Sequence, residues 1–409
     1  MSRIPRRIFP RFLAELDRPE ISILLGPRQV GKTYLLRELE KRARRAGRPT
    51  RYYNLELPHD LKTFSGTPAD IFNLLTERPG VVFIDEFHYL ENASKIFKAV
   101  FDSGKGVKIF ASGSSAMGIH RHLKESLAGR RLTTYLSPLD FNEFLRKDGK
   151  ADRPQALAEF LAFGGLPGLL HAEDRTSKIR LLNEILETYI QKDVKSLIRE
   201  ENVRAFNNLL YLLAESQGSI ISENSLSREV GLTAVTVGRH LTILENTYVC
   251  RVVHSFARRM GNELKKSKKV YLYDIGVRNA LLKDFSSLRG REDAGAVRES
   301  YVFSELEKRR LPDVDIRFWR SRAGQEIDFL VVRDRKAFLI EVKSGLKRPE
   351  VPRAFNVFIK HYPETLGGLI VSDGLNKKVR FMDKEICFVS LDKLPEALDR
   401  WVFADRLPN

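Results

Sequence analysis

The stretch whose reading decides the fold is ISILLGPRQVGKTYLLREL, Ile21 to Leu39. It reads as a short apolar strand, the loop Gly26-Pro27-Arg28-Gln29-Val30-Gly31-Lys32-Thr33, and a leucine-rich helix. The loop fits G-x-x-x-x-G-K-[ST] at every position, in the strand–loop–helix context the pattern requires. Gly26 and Gly31 let the backbone take positive φ and come close to a phosphate. Successive N–H groups then converge at a helix N-terminus, where the dipole already favours an anion. Lys32 would set a point charge on β- and γ-phosphates, and the Thr33 hydroxyl would hold Mg²⁺. Taken alone, the loop promises a nucleotide.

Working outward, the helix runs to about Ala46 and stops at Gly47, with Lys41, Arg42, Arg44 and Arg45 at its end. Those charges read either as phosphate-backbone contacts or as complements of the helix dipole. A strand over Arg51–Leu57 and a helix around Pro68–Glu77 follow. The run Val81-Val82-Phe83-Ile84-Asp85-Glu86 then has the continuous apolar character of a strand buried on both faces of a parallel sheet. Asp85 falls at its C-terminal end, the edge where open α/β sheets bind ligands. There it would hold Mg²⁺ through water, opposite Thr33, with Glu86 as general base for the attacking water. Lys32 and Asp85 are 53 residues apart, room for one intervening strand with its helices.

The next strand, Val107–Ala111, ends in Ser112-Gly113-Ser114-Ser115. Ser114 is the candidate to touch the γ-phosphate or the lytic water; serine and glycine also simply make turns. Ser126-Leu127-Ala128-Gly129-Arg130-Arg131 precedes a fifth strand, Leu132–Leu136, and a helix from about Asp140. Arg130 or Arg131 reads as an arginine finger toward a neighbouring subunit's nucleotide, or as a surface pair.

The chain's 409 residues suit two or three domains, and 43% hydrophobic residues suffice for ordinary cores. No window approaches the apolar length of a membrane span, and the basic N-terminus lacks the apolar stretch of a secretion signal. No membrane partner is expected. Two cysteines, Cys250 and Cys387, imply no disulfide framework and point to a reducing, cytoplasmic setting. A net charge of +17 and a pI near 9.8 favour a polyanionic partner.

From about Ala205 the chain reads as helical, and Leu226 to Leu244 reads as a helix-turn-helix joined through Gly231. Val237, Leu241 and Leu244 share one face of the second helix; Thr233, Thr236 and Arg239 lie elsewhere. Tyr248–Val253 and Lys269–Tyr273 suit a β-wing bridged by Arg258, Arg259, Lys265, Lys266, Lys268 and Lys269. The helix in a major groove with wing lysines on phosphates is one reading; a protein–protein module is the other.

The last part opens with a helix over Gly295–Arg310 carrying Glu299 and Glu305. Strands Ile316–Arg320, Glu326–Val332 and Ala337–Val342, a helix around Pro352–His361, and strands Leu369–Ser372 and Ile386–Val389 complete it. Asp328 and Glu341 fall on consecutive strands, a hard-oxygen pair suited to a second Mg²⁺ or to Mn²⁺. Lys343, two residues from Glu341, shares its face and would orient a water nucleophile or stabilise a pentavalent phosphate.

The set GPRQVGKT, FIDE, GSS, SLAGR and SPLDFNEF resembles an AAA+-type ATPase family of bacteria and archaea, as do FGGLPGLL (Phe163 to Leu170) and YIQKD (Tyr189 to Asp193). The resemblance spans essentially the whole chain. It implies an α/β protein: a P-loop AAA+-type parallel sheet core over 1–145, a helical lid over 146–204, a winged helix over 205–285, and a C-terminal domain over 286–409. The helix-Glu299, strand-Asp328, strand-Glu341-x-Lys343 order resembles the restriction-endonuclease-like fold, a family that includes Holliday-junction resolvases. Together these imply ATP with Mg²⁺, homo-oligomers, and DNA as partner. The alternatives are a nucleotide-controlled switch binding a protein partner, and an ATP-gated, metal-dependent nuclease.

Overall fold

In a computed structural model, the structure describes residues 5–114, 127–146, 152–188, 203–257 and 267–404. Ser115, Ser126, Tyr189–Asp193, Arg258, Arg259, Lys265 and Lys266 lie outside them. The described chain forms two units, residues up to 138 with 246–249, and residues 139–245 with 250–409.

The first unit is built on five parallel strands: β1 (Ile21–Leu25), β2 (Thr50–Asn54), β3 (Gly80–Asp85), β4 (Val107–Gly113) and β5 (Arg131–Tyr135). Their order is β2-β3-β4-β1-β5. Val81 to Asp85 is buried throughout, as a strand covered on both faces must be. Alternation splits its side chains. Val82 and Ile84 join Ile23, Ile109 and Leu75 in one apolar cluster. Phe83 faces the other way, its ring centroid 5.5 Å from Phe110 and 6.1 Å from Tyr52, with Phe12 extending the row 5.2 Å beyond Phe110. Asp85 and Ser112 continue that second face, which is how two polar side chains come to be wholly buried among rings.

The second unit begins with helices Phe141–Leu145, Arg153–Phe163 and Arg175–Ile185. The Gly164-Gly165 turn is tied to the distant helix Ile275–Leu282. Asp274, buried at that helix's N-cap, accepts from the N–H groups of Gly165 and Gly276, both at 2.8 Å. Helices Glu223–Val230 and Ala234–Asn246 meet through Gly231 and are followed by an antiparallel hairpin, β6 (Cys250–His254) and β7 (Lys268–Leu272).

Helix Ala294–Arg309 leads into a mixed six-stranded sheet of order β12-β13-β11-β10-β9-β8. Its strands are β8 (Asp315–Arg320), β9 (Glu326–Arg333), β10 (Lys336–Val342), β11 (Gly367–Ser372), β12 (Lys377–Phe381) and β13 (Lys384–Ser390). One face packs on helix Arg353–His361 through Phe355, Phe358, Leu339 and Ile370. On the other, Phe329 of β9 meets Tyr271 and Phe303 at 5.6 and 6.0 Å. The edge strand β12 has no counterpart in the sequence reading. Lys377, Lys378 and Arg380 are exposed and only Val379 and Phe381 turn to the core, so the strand is short and mostly charged, the character of a protected edge. Among the described residues, no helix is long and apolar enough to cross a membrane.

Candidate functional site

The phosphate-type loop leaves β1 and turns into helix Lys32–Arg45. Gly26 has φ +156° and Gly31 φ +93°, and a Cβ on Gly26 would stand 2.2 Å from the Leu136 carbonyl oxygen. Glycine at that position is therefore a steric requirement. Gln29 also takes positive φ. Pro27 and Val30 are buried, Arg28 is half-buried, and Gln29 and Thr33 are exposed. Lys32 is buried and folds back on the loop, its ammonium donating to the Gly26 and Pro27 carbonyls at 3.1 and 2.8 Å. Burial lowers its pKa, and Glu86 and Asp85 pull it back up.

β4 lies between β1 and β3, with Leu24 opposite Ser112 and Ile84 opposite Ala111. This register brings Ser112 to Asp85. The Ser112 hydroxyl donates to Asp85 Oδ1, and the Tyr52 hydroxyl donates to Asp85 Oδ2 at 3.0 Å. Arg37, from the loop's own helix, covers the Tyr52 ring at 3.3 Å. Burial and the Asp85 charge both drive the Tyr52 pKa up, so this phenol stays a donor.

Glu86 sits just past β3 with φ +53°. Its Oε2 accepts from the Ser114 N–H at 3.0 Å and the Ser114 hydroxyl at 3.2 Å, and is 3.1 Å from His88 Nδ1. Burial alone would raise its pKa. The His88 hydrogen bond, the Lys32 charge and the Ser114 N–H together hold it down at about 2.

Thr33 and Asp85 offer a hydroxyl and a carboxylate, the hard-oxygen donors that Mg²⁺ takes; the donor set fits that ion. Tyr52 and His88 carry no signal in the sequence. Ser112 was signalled only as part of a serine-glycine run, and Tyr52 becomes visible only through the register of β2, which puts it opposite Phe83.

Arg130 pairs with Asp102 of its own chain at 2.7 Å. In the second unit, Thr233 is exposed and caps its helix, accepting from the Thr236 N–H at 3.1 Å; Arg239 is exposed. Lys268 is paired with Glu223. Lys269 corrects the reading of the wing. It is not a solvent-facing phosphate contact but a buried residue with a side chain 1% exposed. Strand alternation sends neighbours 268 and 269 to opposite faces.

The C-terminal residues come together as their spacing predicts. β9 and β10 pair antiparallel with Phe329 opposite Ile340, which sets Asp328 beside Glu341. Asp328 Oδ2 accepts from the Val342 N–H at 2.8 Å, and Lys343 is 2.7 Å from Glu341. Burial, then repulsion from Asp328, pushes both Glu299 and Glu341 up to about 7. The second metal does not fit this arrangement. Among the described residues no group of three or more His, Cys, Asp or Glu side chains is placed to hold an ion, and the Lys269 ammonium lies 3.0 Å from Glu299 and 2.6 Å from Glu326.

Comparison with known proteins adds a family context. Residues 18–145 match the model of an AAA domain, 154–288 a domain of unknown function (DUF8612), and 294–394 a domain of unknown function (DUF4143). An uncharacterized protein of Methanocaldococcus jannaschii, MJ1544, is 26% identical over 88% of this chain and 81% of its own length. The uncharacterized protein Rv2008c of Mycobacterium tuberculosis is 25% identical over 81% of this chain and 72% of its own. The structure of AMPPCP-bound DnaA from Aquifex aeolicus shares 14% identity over 58% of this chain and 86% of that one, with a TM-score of 0.31.

Proposed function

We propose, from the premise that one chain joins an AAA domain to a DUF4143 domain, that it hydrolyses ATP with Mg²⁺ and couples turnover to DNA binding. The observation that carries this reading is the meeting of Lys32, Asp85, Glu86, Ser112 and Ser114 at the C-terminal ends of β1, β3 and β4. Lys32 leaves the Gly26 and Pro27 carbonyls for the phosphates, and the loop N–H groups hold the rest of the phosphate chain. Thr33 and Asp85 would hold Mg²⁺, which when bound neutralises charge building on the β- and γ-oxygens. Ser112 and Tyr52 fix the Asp85 carboxylate, and Glu86 accepts the water's proton once Ser114 turns from it toward the γ-phosphate.

Losing the Tyr52 hydroxyl should leave the fold intact and weaken Mg²⁺-dependent turnover by roughly 10–100-fold, the usual effect of removing a group that orients a metal ligand. A Mg²⁺ titration of the ATPase rate for Tyr52→Phe checks it; an unchanged Mg²⁺ dependence refutes the positioning role.

DNA enters through the net charge of +17 and the helix-turn-helix with Thr233 and Arg239 exposed. The deciding experiment is the ATPase rate with and without single-stranded, duplex and four-way-junction DNA, using Lys32→Ala as the turnover-dead control. We expect stimulation by at least one DNA form, salt-dependent binding, and a shallower salt slope for Arg239→Ala. The pairing of Lys268 with Glu223 and the burial of Lys269 favour a second reading, a nucleotide-controlled switch for a protein partner, because two basic groups are withdrawn from the wing. No stimulation and no salt-sensitive binding would select it. Self-association through an arginine finger would require Arg130 to leave Asp102, or Arg131 to serve instead.

A further inference from the structure

The acidic cluster of the C-terminal sheet already contains a cation belonging to the chain. Lys269 and Tyr271 are two residues apart on β7 and so project from the same face of the hairpin. The Lys269 ammonium pairs with Glu299 Oε1 at 3.0 Å and Glu326 Oε1 at 2.6 Å, and Asp328 adds its field. The Tyr271 hydroxyl donates to the same Glu299 oxygen. Asp328 Oδ2 is taken by the Val342 N–H, and Glu341 Oε1 by Lys343.

These contacts decide what the cluster can accept. Mg²⁺ takes a near-octahedral array of oxygens at about 2.0–2.1 Å, most of them waters, and needs one or two carboxylate oxygens left free by the protein. Here one oxygen of each candidate ligand, Glu299 Oε1, Asp328 Oδ2 and Glu341 Oε1, is already taken by a protein donor. An ion bound by Glu299 would sit against a fixed positive charge with almost no water to screen it. The dependence is mutual, since a lysine buried this deeply stays charged only because carboxylates face it.

We propose that Lys269 is the resident cation of this cluster, standing where a divalent metal would stand in a cleaving enzyme. The carboxylates of helix Ala294–Arg309 and strand β9 then serve to fasten the β6–β7 hairpin to the six-stranded sheet, and the C-terminal domain does not cut phosphodiester bonds. This holds whether or not the first unit hydrolyses ATP.

The test is a Mn²⁺ titration of the nucleotide-free full chain followed by electron paramagnetic resonance. Wild type and Asp328→Asn are expected to bind Mn²⁺ with the same stoichiometry. Lys269→Met is expected to gain one further ion, lost again in Lys269→Met/Asp328→Asn. A wild-type ion that Asp328→Asn removes would overturn the proposal, as would a Lys269→Met protein with native circular dichroism and no added ion. Should the methionine variant fail to fold, Lys269→Gln replaces it, and the comparison of wild type with Asp328→Asn still decides whether the cluster takes a metal.

Discussion

Glutamine in place of Glu86 is expected to lower ATP turnover by roughly 10²–10⁴-fold, the range for loss of a general base, while nucleotide binding persists. The amide oxygen can still accept from the Ser114 N–H and hydroxyl, so the positive-φ turn at residue 86 keeps its anchors. What disappears is the ability to take a proton. With its pKa held at about 2, the carboxylate is a feeble base while it touches His88 and Ser114, so proton transfer requires these contacts to loosen. Phosphate release, measured beside equilibrium binding of a fluorescent nucleotide, checks this; a normal rate in Glu86→Gln removes Glu86 from the role. The same contacts give a pH signature. The folded pKa lies below the ordinary 4.5, so the group stabilises the first unit fully above pH 4.5 and loses that contribution as pH falls toward about 2. Glu86→Gln should flatten the acid side of the unfolding profile of that unit.

Arg309→Ala is expected to destabilise the second unit by about 3–5 kcal/mol, the usual result of stranding buried charges. Arg309 and Glu305 are 1% and 0% exposed and pair at 2.6 Å; Asp399 and Asp140 approach the same guanidinium at 2.9 and 3.5 Å. Glu305 further accepts from the Phe141 N–H at 3.1 Å. Removing the arginine leaves Glu305 with only Lys308, 3.6 Å away, as cation. Urea unfolding of the full chain, followed on the second unit, measures the loss. Arg309→Met/Glu305→Leu should recover most of it, because a packed apolar pair carries no desolvation penalty. A single variant with wild-type stability would show that the network contributes nothing net.

The two predictions differ in how far they could be read before the fold was known. The loop, the Val81–Asp85 strand and the acid pair are local patterns, and locality is what a sequence displays. Tyr52 and Ser112 matter because of register and sheet order, which join residues tens of positions apart, whereas His88 reaches Glu86 only two residues away, through the positive-φ turn after β3. Lys269 is the sharpest case. Within a run of lysines it is indistinguishable from Lys268, and only strand alternation separates the one paired with Glu223 from the one buried at Glu299. Glu305 and Arg309, an i,i+4 pair, look like a solvated helix face until Asp140 and Asp399 close over them. β12 hides for the opposite reason, since its lysines and arginine are the charges of an edge strand.

The position of β4 has a further consequence. Neighbouring strands stand about 4.8 Å apart, so a single strand between β1 and β3 spaces the loop from the acid pair by roughly 9–10 Å. Lys32 follows β1 and Asp85 and Glu86 end β3, with Ser112 and Ser114 at the end of β4 between them. The sheet thus acts as a gauge block. Its width, more than any one side chain, sets how far the Lys32 side and the Glu86 side of the candidate site stand apart.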